Sequence, residues 1–203
     1  MEYLDNINKL EFNDLDNELR DYAKKNDVPI IQDMGLHFLR QVIMLKNVKT
    51  ILEIGTAIGY SAIQMAKLGA SVDTIEINEA SYNIALENIK KANLSDKINV
   101  YLDNALEIDL NKLKKYDLIF IDAAKAQYMN FFNRFKDLLN DKGVIVTDNL
   151  LFHGLVLSDN IESRNLRQLV NKIKNYNTWL IEQTDFDTTI YDIGDGMALS
   201  IKK

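Results

Sequence analysis

The chain of 203 residues contains no cysteine, one proline, one tryptophan and two histidines. Without cysteine there is no disulfide, no thiolate metal site and no cysteine nucleophile, although the redox compartment is left open by that absence. No apolar run approaches the ~20 residues needed to cross a bilayer, so no membrane partner is expected. The opening Met1-Glu-Tyr-Leu-Asp-Asn6 is acidic, unlike the basic and then apolar start of a secretory signal, and the cytoplasm is the expected compartment. The formal net charge of -6 argues against a generally basic protein that coats nucleic acid, while leaving room for a local basic face. Of the two histidines, His37 and His153, neither is given a catalytic role; a lone loop histidine is more often structural or solvated.

What is present is ordinary globular material, 47% hydrophobic and 27% charged, of a length that suits one domain over 1–203. Residues 2–26 read as a polar helical segment, with Leu15, Leu19 and Tyr22 at helical spacing. Pro29 interrupts it, and a second helix is expected from about Asp33 to Lys46. Strands are expected at Thr50–Ile54, Val72–Ile77, Ile98–Leu102, Tyr116–Asp122 and Val144–Asp148. Helical patterns lie between them at Tyr60–Leu68, Glu79–Ala92, Leu106–Lys114 and Tyr128–Leu139. Such alternation predicts an α/β fold with a mostly parallel, doubly wound sheet behind N-terminal helices of about 1–46. The tail reads differently, as a helix over 160–176 and extended segments at Thr178–Glu182 and Met197–Lys202, with Asp195-Gly196 as a turn. That pair predicts an antiparallel edge.

The stretch Ile51-Leu-Glu-Ile-Gly-Thr-Ala-Ile-Gly-Tyr-Ser61 predicts a strand, a tight turn and a helix start, where backbone can approach a nucleotide-like ligand. Its Gly55-x-x-x-Gly59 spacing fits neither the dinucleotide fingerprint nor the phosphate loop. Ligands of open α/β sheets bind outside the carboxyl ends of strands. Two such ends carry Asp122 and Asp148-Asn149. Singly, each acid reads as a cap for the following turn. Together, two carboxylates and an amide oxygen form a hard oxygen set suited to Mg²⁺. Farther on, Ser163–Trp179 holds four basic residues and no acid, with Leu166, Leu169, Val170 and Ile173 on one side of a helix. On pattern alone its Arg164, Arg167 and Lys174 are a solvated helix face.

The Glu53-x-Gly-x-x-x-Gly turn, with Glu76 closing the next strand, resembles the S-adenosylmethionine site of class I methyltransferases. Four ordered segments sharpen this: Leu52–Ser61, Phe120-Ile-Asp-Ala-Ala-Lys-Ala-Gln-Tyr128, Asp148-Asn-Leu-Leu-Phe-His-Gly-Leu-Val156 and Gly194-Asp-Gly-Met-Ala-Leu199. They resemble the divalent-cation-dependent O-methyltransferases, the catechol and caffeoyl-coenzyme A family, over essentially the whole chain. The resemblance implies a Rossmann-like sheet of seven strands and a homodimer. It implies metal ligands Asp122, Asp148 and Asn149, and an active-site Lys125 beside Asp122. It further implies a cofactor site of Ile31, Glu53, Gly55, Gly59, Ser61, Glu76, Asn104, Ala105 and Asp122. The chain departs from the family pattern at Asn104 and Ala124, where aspartate is common. A metal-held hydroxyl would be deprotonated and aligned with the sulfonium methyl, with Lys125 taking the proton or stabilising the oxyanion.

Such a site suits an acceptor with two adjacent oxygens, a catechol or 5-hydroxyuridine. Arg164–Lys174, Asn177-Thr-Trp-Leu180 and Ile193–Ile201 resemble the bacterial branch that methylates 5-hydroxyuridine at the tRNA wobble position. That branch makes the tRNA anticodon loop the expected partner and turns Arg164, Arg167 and Lys174 into expected phosphate contacts. A small-phenol methyltransferase is the competing expectation. A non-catalytic cofactor-binding protein would not need Asp148 or Asn149, and a dehydrogenase would need the missing central glycine.

Overall fold

The computed structural model describes residues 7–158 and 160–203, so residues 2–6 of the expected first helix lie outside it. The helix within the described residues is α1 (Asp14–Lys25), opened by Asn13, whose side chain accepts from the Asp16 N–H while Asp16 accepts in return from the Asn13 N–H. This reciprocal capping satisfies two donors that a bare helix start leaves open. After Pro29, α2 (Asp33–Leu45) leads into β1 (Thr50–Ile54), α3 (Tyr60–Ala66), β2 (Ser71–Glu76), α4 (Glu79–Lys91) and β3 (Ile98–Leu102). Then come β4 (Tyr116–Ile121), α5 (Tyr128–Phe135), β5 (Leu139–Thr147), α6 (Arg164–Ile181), β6 (Phe186–Tyr191) and β7 (Met197–Lys202).

The seven strands form one sheet in the order β3-β2-β1-β4-β5-β7-β6. The first five are mutually parallel; β7 runs antiparallel to both β5 and β6. Alternation along the central strands supplies two cores. Ile51, Leu118, Phe120, Val144 and Val146 feed one face, whereas Leu52, Ile119, Ile121 and Ile145 feed the other. Helices α1 to α4 cover the first face and α5 and α6 the second, where Phe132 meets Trp179 and Phe186 edge to face. Each such buried side chain contributes roughly 1.5–3 kcal/mol of transfer free energy. Strand order reverses between β1 and β4, which opens a crevice at their carboxyl ends.

Two expected elements are corrected. Thr178–Glu182 is not a strand, because α6 continues to Ile181. Val170, Ile173, Tyr176 and Leu180 keep one helical stripe buried, and that packing outweighs the local β-former pair Thr178-Trp179. The missing edge strand is β6, paired with β7 from Phe186↔Lys202 to Tyr191↔Met197. Leu106–Lys114 is likewise no α-helix; it holds turns and a single 3₁₀ turn, Leu110–Lys112, capped by Asp109. Among the described residues no helix is long and apolar enough to cross a membrane.

Candidate active site

The crevice is a cavity of about 490 Å³ running from Ile30 and Ile31, past the β1 turn and Glu76, to Asp122 and Asp148. Gly55 makes the close approach of the β1 and β4 ends possible. Its φ is +101°, and a Cβ there would stand 2.1 Å from the Asp122 carbonyl oxygen. The Gly55 N–H donates to Ile75 O and the Asp122 N–H to Ile54 O, so three strand ends are held together at the turn.

At one end of the cavity Asp122, Asp148 and Asn149 meet. Asn149 lies in the left-handed region, with φ +61°, and its N–H donates to Asp148 Oδ1 at 2.6 Å. Lys125, in the turn after β4, donates from Nζ to Asn149 Oδ1 at 3.0 Å. The same ammonium stands 5.6 Å from the centre of the Phe152 ring. Burial pushes the Asp148 carboxyl up to about 8, and the neighbouring Asp122 charge adds to the effect. Burial raises Asp122 as well, against the Lys125 charge. Two carboxylates in this position ionise together only at a cost, which a divalent cation between them offsets. The donor set fits such an ion: two hard carboxylates and an amide oxygen, with the open cavity leaving room for water. Among the described residues no group of three or more His, Cys, Asp or Glu is placed to hold a metal ion, so any metal held here relies on the amide.

Against known proteins, a family model described as O-methyltransferase matches residues 10–203. The chain belongs to the O-methyltransferase family.

The methyltransferase is 32% identical to a catechol O-methyltransferase of Niastella koreensis over 178 residues, covering 82% of this chain and 79% of that one. It is 30% identical to a caffeoyl-CoA O-methyltransferase of Populus kitakamiensis over 189 residues, covering 88% and 80%. In structure it is similar to a Staphylococcus aureus protein provisionally named a caffeoyl-CoA O-methyltransferase, at 41% identity and TM-score 0.93, covering 100% and 98%. A Bacillus cereus O-methyltransferase solved in complex with SAH aligns at 25% identity and TM-score 0.83, covering 100% and 96%.

Most residues expected at the cofactor line the methyltransferase cavity: Ile31, Gly55, Ser61, Glu76, Asn104, Ala105 and Asp122. Two do not. Glu53 is fully buried behind the cavity wall, where it accepts from Ser61 Oγ (2.5 Å) and Thr74 Oγ1 (2.6 Å). By taking the Ser61 hydrogen it leaves the serine oxygen as an acceptor facing the cavity. Gly59 also stands off the cavity; its φ of +83° starts α3, and its α-carbon packs toward Ala85. Glu76 spends Oε2 on the Ala57 N–H and Oε1 on the Asn78 N–H, both at 2.8 Å, which fixes the carboxylate in its place at the cavity wall. Arg167 and Lys174 line a smaller cleft of about 170 Å³ with Ser158, Ile161, Val170 and Asn171, and Arg164 is exposed at the start of α6.

Sequence reasoning missed Tyr60 and Asp195. Tyr60 lines the cavity and accepts at its hydroxyl from Arg20 Nη1 (3.2 Å), which also holds Asp33. Asp195 read as a turn residue within the Gly194–Leu199 segment and was given no site role, and its reach back to Asn149 crosses 46 positions.

The Glu53 environment carries a prediction. Burial pushes this carboxyl from 4.5 up to about 8, although the Ser61 and Thr74 hydroxyls pull it down. The folded state therefore binds the proton more tightly than the unfolded chain. Stability from this group is full below pH 4.5 and is lost as pH rises through about 8. At about 1.4 kcal/mol per tenfold change in proton affinity, the loss is of the order of 5 kcal/mol. Glu53→Gln stays uncharged at every pH and keeps an acceptor for Ser61, so its melting temperature should fall less between pH 5 and pH 9 than that of the wild type. Parallel melting curves across that range would refute the assignment.

Proposed function

We propose that this methyltransferase transfers the methyl group of S-adenosylmethionine to the 5-hydroxyl of 5-hydroxyuridine at the tRNA wobble position, with the help of a divalent cation, Mg²⁺ in the first instance. The observation that carries the reading is the meeting of Asp122, Asp148 and Asn149 with Lys125 at one end of the cavity, beside a basic cleft on α6. S-adenosylmethionine supplies an electrophilic sulfonium methyl. Its ribose hydroxyls match Glu76, its ammonium the Ser61 oxygen, and its adenine the Asn104-Ala105 turn. Asn104 Oδ1 accepts from the Leu106 N–H, so its amide offers a donor where the family often has a carboxylate. SAH in the Bacillus cereus relative supports S-adenosylmethionine as the cofactor.

A cation held by Asp122, Asp148 and Asn149 would lower the pKa of an acceptor hydroxyl and fix its direction. Lys125 faces the same spot and stabilises the anionic oxygen as an ammonium. The 5-hydroxyl and C4 carbonyl of 5-hydroxyuridine present the adjacent oxygens that this arrangement matches. Helix α6 packs against both the Lys125–Gln127 turn and the Leu155–Leu157 turn, so its basic cleft flanks the catalytic end. Arg167 donates from Nε and Nη2 to Ile161 O and keeps Nη1 for a phosphate.

Purified protein incubated with S-adenosylmethionine, Mg²⁺ and tRNA bearing 5-hydroxyuridine should form 5-methoxyuridine, read by nucleoside mass spectrometry. A strain lacking the gene should accumulate 5-hydroxyuridine. Arg167→Glu is expected to raise KM for tRNA about tenfold and to reduce the salt dependence of binding by about one phosphate contact, leaving a small catechol acceptor unaffected. Methylation of catechols but not of tRNA would favour the second reading, a small-phenol O-methyltransferase, which the names of the Niastella and Populus relatives support.

A further inference from the structure

We infer that Asp195 is a positioning residue that sets which face of the Asn149 amide meets the active site. This rests on the cation reading given above for Asn149, and it adds a residue from the far end of the chain to that site.

The amide of asparagine is nearly symmetric in shape, so its neighbours decide where its oxygen lies. Asn149 stands between two neighbours that each allow one choice. On the cavity side, the Lys125 ammonium can only donate, and it donates to Oδ1 at 3.0 Å. On the other side, the Asp195 carboxylate can only accept, and Nδ2 faces its Oδ2 at 3.5 Å. Asp195 is 5% exposed and so has little water to turn to. Its other oxygen, Oδ1, accepts from the His153 N–H.

The carboxylate is itself held by its turn. Between β6 and β7, the Asp195 carbonyl accepts from Leu151 N (2.8 Å) and the Gly196 carbonyl from Leu150 N (2.9 Å). A Cβ on Gly196 would stand 2.5 Å from Leu151 Cγ, so only glycine lets the two segments lie this close. The segment so clamped carries three successive left-handed residues, Phe152, His153 and Gly154, at φ +48°, +55° and +77°. Non-glycine residues in that region cost of order 1–3 kcal/mol each and persist where surroundings hold them. The Asp195 turn is that surrounding. It fixes the path of the loop by backbone bonds and the amide of Asn149 by the carboxylate.

The role has a consequence once a cation lies beside Asn149. The ion repels the Lys125 ammonium, and Asp195 is then the neighbour that still holds Oδ1 toward the ion. Asp195→Asn tests this directly, since the new amide can accept the His153 N–H yet no longer obliges Asn149 to donate. Mn²⁺ binding followed by electron paramagnetic resonance should weaken about tenfold in Asp195→Asn, with the melting temperature within a few degrees of wild type and the affinity for SAH unchanged. The double variant Asn149→Asp with Asp195→Asn reverses donor and acceptor. A carboxylate at 149 needs no orientation, so Mn²⁺ binding should return. Wild-type affinity in Asp195→Asn, or a loss that the double variant fails to restore, overturns the inference. If the wild type itself does not bind Mn²⁺, the cation reading fails separately, and the amide orientation is read from the Asn149 side-chain NH₂ resonances. These should move in Asp195→Asn; unmoved resonances overturn the inference on their own.

Discussion

Asp148→Ala is expected to lower methyl transfer by roughly 10³-fold or more while leaving the protein folded. Electrostatic stabilisation of a developing oxyanion is commonly worth several kcal/mol, and each 1.36 kcal/mol is a factor of ten in rate. Asp148 is 3% exposed, and its side chain makes one hydrogen bond, from the Asn149 N–H next to it. Tyr128 Oη donates to the Asp148 main-chain carbonyl, a bond that the substitution keeps. Removing the carboxylate also removes its repulsion with Asp122. In the absence of added metal, the variant should therefore melt no lower than the wild type above pH 8, where Asp148 is driven to ionise beside Asp122. S-adenosylmethionine binding, followed by calorimetry, should stay within about threefold, because the cavity-lining residues assigned to the cofactor, all except Asp122, lie along the rest of the cavity. Turnover that survives Asp148→Ala would end the metal-assisted mechanism. Turnover lost together with cofactor binding would point to a collapsed cavity.

Much of this arrangement could be read from the chain because the central strands are regular in two senses. In β4 and β5 the apolar runs Leu118–Ile121 and Val144–Val146 are continuous, which only strands buried on both faces need, and each gives way to polar residues at the same edge of the sheet. Asp122 and Asp148 could thus be placed together from strand ends alone. The edge of the sheet was less readable. Thr178 and Trp179 favour strand locally, yet Tyr176 and Leu180 are needed by the second core, and tertiary burial decided for helix. Glu53 illustrates a different limit. Its position in the turn motif is evident, but strand alternation decides whether a side chain faces the ligand or the interior, and here it turns toward Ser61 and Thr74. Asp195 was hidden by distance along the chain. A Gly-Asp-Gly turn reads as a hairpin connection, and only the antiparallel return of β7 beside β5 brings it to Asn149.

The turn at Gly55 supports the second large effect. Gly55→Ala should lower stability by roughly 2–6 kcal/mol, combining about 1–3 kcal/mol of backbone strain with about 1–3 kcal/mol of overpacking. For a chain of this length that is a fall in melting temperature on the order of 10 °C. The strain arises from φ +101°, and the overpacking from a Cβ placed 2.1 Å from the Asp122 carbonyl oxygen and 3.3 Å from Ala123 Cα. Relief requires the ends of β1 and β4 to part, which carries Asp122 away from Asp148 and should reduce activity beyond what the lost stability explains. Gly69 provides the control. Its φ of +95° is similar, but nothing lies within 4 Å of a Cβ there. Gly69→Ala therefore measures backbone strain alone, and the difference between the two variants measures the close approach of the strand ends. Equal melting temperatures for the two variants would mean that the close approach of the β1 and β4 ends yields at little cost. The site could then not depend on Gly55 for the spacing of its carboxylates.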